Sequence, residues 1–589
     1  MTIAVLPQKT GIESIEAVDG LSPGLMSAGL GRVPAPQSLL DITQGNRVSG
    51  SLYDGDLPVL RFNQRGVKAE SWQRVLRRAE SAPAEIVPGL LATTLTQAGV
   101  PVQAKSSSGV AGLIAADRDG RIAAGSGAGW GVVVRHAEPD QLEDLLAELS
   151  GDDMLIVFDR PPPAFRTLSI WIAGEGFDGL LTSDSTRTDG LVTATDIAPT
   201  VLERYGVEVP DEINGQENRA EGEADVAGLV EMRDRLEVTG ARRGPVVGQT
   251  LLAWVAVALI AAVALRGRVA KAAVALLALS ALYLPLVLLL TPLLDPSLPA
   301  ERLVAGLGAP LLALITWRLA PGWSGLALAC LITVSAYAVD VLAGSILIPL
   351  SLPGPNPASG SRFYGIGNEI EAMIGALLPL GVGAALASVP RTRDGGAAAA
   401  AWFLAVGLIA AAGFALGRFG ADVGAAIVLP TGAAVAAAVA LGTRRGVLLA
   451  VLIPIGCVVA LMAADLVLGG GAHLTRSVLD AGGLEEAGNV FERRIRLAAA
   501  SFTRGANVPF MVVAGVAIAV GIRHRHRIRS WFGERAAFAG FVGALAAAAI
   551  GTVSNDSGVT LLILGTAFAA AGAGFAWTLP RDPETGPAR

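Results

Sequence analysis

Cysteine and histidine are almost missing from this chain. Among 589 residues there are two cysteines and four histidines. Cys330 and Cys457 both fall inside apolar stretches and offer neither a disulfide framework nor metal-ligand spacing. His136, His473, His524 and His526 are too scattered for a histidine-rich metal site. Charge is scarce too, at 16% of residues, where a soluble chain carries about a quarter. In its place are 72 glycines and a mean hydropathy of +0.55. Small residues let membrane helices approach closely, so this richness reads as a tightly packed bundle.

The scarcity is uneven. Residues 1–245 hold 22 Lys and Arg against 35 Asp and Glu, a net charge of −13, while the remainder carries +7. An acidic soluble half argues against nucleic acid as a partner.

A spanning helix needs about 20 mostly apolar residues. That rule marks eleven spans, near 246–265, 272–292, 303–320, 324–349, 369–389, 398–417, 422–442, 446–468, 507–522, 536–554 and 558–578. Lys and Arg concentrate in the odd-numbered loops: Arg266, Arg268 and Lys271; Arg318; Arg391 and Arg393; Arg444 and Arg445; Arg523, Arg525, Arg527, Arg529 and Arg535. The positive-inside rule then faces those loops and the tail 580–589 to the cytoplasm and the even loops outward. Arg242 and Arg243, before the first span, dissent. On this topology residues 1–245 are extracytoplasmic. The opening "MTIAVLPQKTGIESIEAV" has no export signal; either the domain is cytoplasmic and the span count is off by one, or, as the favoured expectation, a signal helix precedes it, which would make twelve spans.

Residues 1–215 alternate strand-like runs ("IAVL", "VPVQAK", "GVVVR", "DMLIVFD", "LSIWIAG") with helical ones ("AESWQRVLRRAES", "PGLLATTLTQAG", "PDQLEDLLAELSG"). That alternation predicts an α/β domain with a largely parallel sheet. Residues 216–245 read as an acidic linker and juxtamembrane helix, ahead of an all-α membrane bundle over 246–579.

The stretch "GLLTSDSTRTDGLVTATDIAPTVLERYGVEVPDEINGQ" (179–216) resembles the C-terminal part of alkaline-phosphatase-superfamily domains, through Asp196, Pro199, Thr200, Gly206, Pro210 and Gly215. "PGLLATTLTQAGVPVQAK" (88–105) is similar to that superfamily's helix-then-strand unit. The resemblance implies two metals held by Asp and His around a nucleophile, which stabilise phosphoryl or sulfuryl transfer. The chain departs from that pattern. His136 is the one histidine in 1–245, no Asp–His pair occurs, and "LPQKTG" follows the first strand with no early Asp. Asp159 stands where a ligand could sit, and Thr43 is a weak candidate nucleophile. The expectation is a degenerate phosphatase-like domain, a pseudoenzyme that binds an envelope partner and does not hydrolyse; no metal ligands are assigned.

In the membrane half, polar residues collect at the outward helix ends. "SRFYGIGNE" brings Arg362, Tyr364, Asn368 and Glu369, with Glu371 just beyond; "GRFGADVG" brings Arg418 and Asp422; "SNDSG" brings Asn555 and Asp556. Asp340 and Asp465 lie in outer span halves, and the loop 469–506 adds His473, Arg476 and Arg494. Ionisable groups are costly in a membrane domain and mark functional candidates. Arginine grips phosphate bidentately, and a carboxylate can hold a bridging cation or act as a base. Glu369, Asp422 and Asp556 are the candidate catalytic residues; Arg362, Tyr364, Asn368, Arg418, Asn555 and Arg494 are the candidate substrate-binding residues. A divalent cation at the outer-face carboxylates is the one cofactor considered. The three loop segments together, behind a phosphatase-like domain, resemble a group of large bacterial membrane proteins, which implies an architecture and no activity.

The leading expectation is an envelope membrane protein that acts on a lipid-linked, phosphate-bearing precursor in the manner of a polyprenyl-phosphate glycosyl or polymer transferase. The alternatives are a transporter or flippase using Asp340, Asp422 and Asp465, and an envelope scaffold.

Overall fold

The computed structural model describes residues 1–8, 10–15, 20–28, 34–46, 59–63, 65–80, 86–125, 131–162, 167–360, 362–389, 395–417, 419–442, 508–555 and 557–580, with 448, 452–460, 463 and 502 between 442 and 508. The chain divides into two compact units: Met1–Gly240 with Asn356–Phe363, and Ala241–Pro355 with Tyr364–Arg589.

The first unit is an α/β domain. Its strands are β1 (Thr2–Leu6), β2 (Ser22–Ser27), β3 (Phe62–Asn63), β4 (Gly66–Val67), β5 (Val102–Ala104), β6 (Val132–His136), β7 (Leu155–Asp159), β8 (Thr167–Ala173), β9 (Leu180–Ser183), β10 (Leu191–Thr193) and β11 (Asn218–Glu221). Seven form one sheet in the order β10-β2-β8-β7-β1-β6-β5. β5, β6, β1 and β7 are mutually parallel, and β10 is parallel to β2. β8 runs antiparallel to β7 and β2, so the sheet is mostly parallel with one reversed strand. Residues Leu155–Asp159 and Thr167–Ala173 are buried along their whole length, which is why both read as mostly apolar runs. The helix Ala69–Glu80 buries Ser71, Trp72, Val75, Arg78 and Ala79, one stripe at helical spacing.

Two expectations change here. β2, "SPGLMS", carries Pro and Gly and gave no strand signal, yet it is fully buried in the sheet. Its Gly24 lies against Leu181, which a β-carbon would meet at 2.9 Å. Residues 218–221, expected in a linker, instead pair with β9 as β11. The segment Asn356–Phe363 belongs to this unit through hydrogen bonds from Ser27 Oγ to Pro357 O (3.2 Å) and from Asn356 Nδ2 to Leu236 O (2.8 Å).

The second unit is a helical bundle. Among the described residues, seven helices are long and apolar enough to cross a membrane: Gly267–Leu294, Leu298–Leu319, Trp323–Leu342, Asn368–Ser388, Gly395–Ala415, Arg535–Ser554 and Gly558–Thr578. The pair Val508–Arg523 and Arg525–Phe532, bent by 81°, makes an eighth if counted as one span. This replaces the expected eleven for the described residues. Ala425–Leu441 is apolar but short, and most of the expected span 446–468 lies outside the described residues. The expected span 324–349 stops at Leu342 because the Asp340 carboxylate turns back to accept the Leu347 and Ile348 N–H groups at 2.8 and 2.9 Å. Many apolar side chains remain exposed around the bundle, among them Leu252, Leu311, Ile409 and Val513, as a lipid-facing surface requires.

Three helices meet through small residues. A β-carbon on Gly540 would strike the Pro379 carbonyl, and one on Gly543 would lie 2.6 Å from Gly432 O and 2.9 Å from Ala436. Asn368–Ser388 and Ala425–Leu441 thereby pack directly on Arg535–Ser554. Gly413, in the neighbouring helix Gly395–Ala415, has open space where its β-carbon would go. Gly543→Ala should cost about 1–3 kcal/mol from overpacking, whereas Gly413→Ala should be neutral or stabilising by up to about 1 kcal/mol. Thermal unfolding of the two detergent-solubilised variants checks this; equal midpoints would refute the close packing.

Candidate functional site

Four-residue spacing sets each of the three packed helices on a narrow seam. On Asn368–Ser388 the series is Glu371, Gly375, Pro379, Gly383. On Arg535–Ser554 it runs Gly543, Ala547, Gly551 and on to Asn555. Before and along Ala425–Leu441 it is Gly424, Val428, Gly432, Ala436. Residues at this spacing share one helix face. The packed pairs run from Gly383 with Gly540, through Gly375 with Ala547, to Glu371 with Asn555. Two of the seams therefore end in a polar side chain at one end of the bundle, and the third ends there in Gly424, two residues after Asp422.

There the Asn555 amide Nδ2 donates to Glu371 Oε2 at 2.6 Å. Both Glu371 carboxylate oxygens lie against Gly424, whose added β-carbon would sit 2.5 and 2.6 Å from them. Asp422 Oδ1 accepts the Gly424 N–H at 2.8 Å, and Asn555 Oδ1 accepts the Ser557 N–H at 3.1 Å. Glu371 is 0%, Asp422 3% and Asn555 7% exposed. The carboxylate of Glu371 thus meets the N-terminus of the helix Ala425–Leu441, where partial positive charge favours an anion.

Two tight links deliver these residues. Ile366 N–H donates to Gly420 O at 3.1 Å, and Asp422 N–H donates to Phe414 O at 3.2 Å. Gly365 takes φ +73°, and a β-carbon there would strike the Gly420 carbonyl, a position only glycine fills easily. The "YGIGNE" and "GADVG" segments therefore form one hydrogen-bonded corner.

The structure brings together Asp422 and Asn555 from the expected residues, and adds Glu371, which the assignment of roles passed over for Glu369. Glu369 is partly exposed and faces Arg243 Nη1 at 3.7 Å. Arg243 also donates to Leu352 O and Gly354 O at 2.7 and 2.6 Å, and Arg242 donates to Pro296 O and to the buried Glu301. Arg242 and Arg243, which dissent from the loop-charge pattern, are thus both engaged locally. Arg362 falls in the first unit. Tyr364 and Asn368 are half-buried near the corner. Asp340 serves the backbone turn described above. Arg418, Asp556, Arg494, Asp465, His473 and Arg476 lie outside the described residues. The signal for Glu371 was its place on the Gly375–Pro379–Gly383 face.

In the first unit the motif residues are structural. Asp196 accepts from Ser183 Oγ (2.7 Å), Ser185 Oγ (2.6 Å), Thr193 N (2.8 Å) and Gln216 N (3.0 Å). Thr200 Oγ1 donates to Asp196 O and accepts from Asn218 N at 2.8 Å. Gly215 lies hard against Thr195 O. Thr43, the candidate nucleophile, is fully buried; its Oγ1 donates to Leu40 O at 2.6 Å and accepts from Gly89 N at 3.2 Å. It is a helix-end tether, which corrects the nucleophile reading. His136 joins Val5 O and Glu138. Asp159 ends β7 at the edge of a crevice of about 320 Å³ that Thr10, Gly11, Ser169 and Arg233 also line. Burial pushes its carboxyl up to about 6, against hydrogen bonding from Gly11 and Ser169. Among the described residues, no three His, Cys, Asp or Glu side chains gather to hold a metal ion.

No protein family, no curated protein and no solved structure matches this chain.

Asp41 supplies a pH test of the first unit. Its buried carboxylate accepts from Gln37 Nε2 and Gln44 Nε2, both at 2.7 Å. Burial pushes its pKa up to about 7, opposed by those bonds and by Arg78. The folded state then binds the proton more tightly than the unfolded state, whose pKa is about 3.9. This contribution to stability is present at low pH and is lost as pH rises towards 7. Asp41→Asn keeps both acceptor bonds without the titration, so it should gain on wild type between pH 5 and pH 8 in urea unfolding. A pH-independent difference would count against the buried acid.

Proposed function

We propose that this chain is a multi-pass membrane protein of the cell envelope that moves a polar, lipid-linked precursor, and that the Glu371–Asn555–Asp422 junction is its working site. The observation that carries the reading is the complete burial of Glu371 at a corner where three separately encoded segments meet. A carboxylate enclosed inside an apolar bundle has few uses beyond binding and releasing a proton or small cation. Here the Asn555 amide donates to it, and both its oxygens lie against Gly424 at the start of a helix. Proton or cation uptake at Glu371 would change which packing of the glycine seam is preferred. That is the requirement for alternating exposure of a site. The phosphate-bearing cargo is inferred from the arginine-bearing, glycine-rich segments in the sequence.

The transferase reading stays as the second. Asp422 sits in a link between helices, and half-buried Tyr364 begins the segment hydrogen-bonded to that link, so this corner would be the reacting end.

The test uses the full-length protein in liposomes containing a fluorescent polyprenyl-phosphate lipid, with a membrane-impermeant quencher reporting transfer between leaflets. Wild type should translocate the probe, and Glu371→Gln, which keeps an acceptor for Asn555, should slow it at least tenfold with an unchanged unfolding midpoint. Equal rates would remove Glu371 from the mechanism. A wild-type protein that translocates nothing but changes the mass of the lipid in the presence of a glycosyl donor would establish the transferase instead.

A further inference from the structure

The opposite end of the bundle carries a second, unrelated feature. Here Gly267–Leu290 and Trp323–Leu342 begin, and Ala309–Leu319 and Gly558–Thr578 finish. Between them lies a crevice of about 470 Å³ lined by Arg268, Lys271, Trp317, Gly322, Phe575 and Thr578, with further small and apolar residues. Two cations line it and no acid does. Among the described residues, neither Arg268 nor Lys271 enters an ion pair. Lys271 Nζ lies 5.8 Å from the Trp577 ring centroid, over its face. The N-terminus of the 20-residue helix Trp323–Leu342 reaches the crevice through Gly322, adding partial positive charge.

We propose that this crevice binds the phosphate headgroup of an anionic glycerophospholipid. Two cations at the rim of an apolar pocket, with no acid beside them among the described residues, call for an anion. Its apolar wall, with Phe575 buried and Trp317 partly exposed, suits a ligand with an attached hydrocarbon chain better than a free ion. The exposed Leu319, 79% accessible, continues the apolar surface from Trp317 along the same helix end, where an acyl chain would lie. Paired indole and basic side chains at a helix end are the usual arrangement at the membrane–water boundary. The site stands apart from the Glu371 junction, and this inference does not rest on the transport reading.

Native mass spectrometry of the full-length protein, titrated with phosphatidylglycerol or phosphatidylcholine, tests it. Wild type should retain phosphatidylglycerol several-fold more than phosphatidylcholine. Arg268→Ala combined with Lys271→Ala should lower that retention about tenfold, and Lys271→Arg should keep it. Arg318→Ala, whose guanidinium lies on the Trp317 ring outside the lining, should leave it unchanged and controls for folding. Equal retention of the two lipids by wild type, or undiminished phosphatidylglycerol retention by the double variant, overturns the proposal. So does displacement of phosphatidylglycerol by millimolar inorganic phosphate alone, which would make the occupant a free anion.

Discussion

The Glu371 carboxylate, held by the Asn555 amide against the backbone of Gly424, sets the terms for the bundle around it. An ionisable group with no exposed surface needs its partners supplied from neighbouring helices. Those helices must come close enough for their ends to converge. Close approach requires glycine and alanine along the whole seam, because a single added methyl at Gly540 or Gly543 meets a backbone carbonyl. The unusual glycine content of the chain is thus spent in part on positioning one acid. The same demand explains the corner formed by residues 364–367 and 419–422, where Gly365 and Gly420 touch backbone to backbone.

Much of this was legible in advance, and the illegible parts have identifiable causes. The division into an α/β part and a helical apolar part follows from composition, and β1, β5, β6, β7 and β8 follow from β-branched and aromatic runs. β2 was hidden because its place in the sheet depends on contact with Leu181 and on neighbours far along the chain, not on propensity; Pro23 and Gly24 point the other way. The three polar segments were read as related because they share composition and lie at alternate loops. Their convergence at Asn555, Asp422 and Glu371 needed tertiary contacts. Preferring Glu369 to Glu371 came from reading the segment as a motif; reading it as a helix puts position 371 on the glycine face and position 369 off it, toward Arg243. The expected span 324–349 is too long for a local reason at Asp340, whose carboxylate ends a helix that hydropathy alone would extend.

The first unit teaches a related caution about motifs. Asp196, Thr200 and Gly215 carry the resemblance to phosphatase-like domains, and each has a packing role. Asp196 gathers four donors from three segments, Thr200 ties the helix Ile197–Arg204 to β11, and Gly215 makes room for the Thr195 carbonyl. Residues that hold a turn together recur wherever the turn recurs, whatever chemistry sits elsewhere in the domain. A motif of this kind speaks to fold. Chemistry has to be argued from groups whose placement costs energy and earns no packing in return.

By that criterion the two ends of the bundle differ in kind. At one end a carboxylate, an amide and a second carboxylate are enclosed at a cost that packing alone does not require, since an apolar residue at position 371 would fill the same seam. At the other, Arg268 and Lys271 remain solvent-accessible and add little cost, yet they line an apolar crevice where the described residues place no acid. The enclosed end holds its polar groups through the packing around them, because the Asn555 amide and the Gly424 backbone fix Glu371 inside the glycine seam. The open end leaves its two cations accessible beside an apolar wall, where the described residues supply no acid. Enclosure of the first kind needs the whole seam of small residues behind it, whereas the second needs only a gap between helix ends.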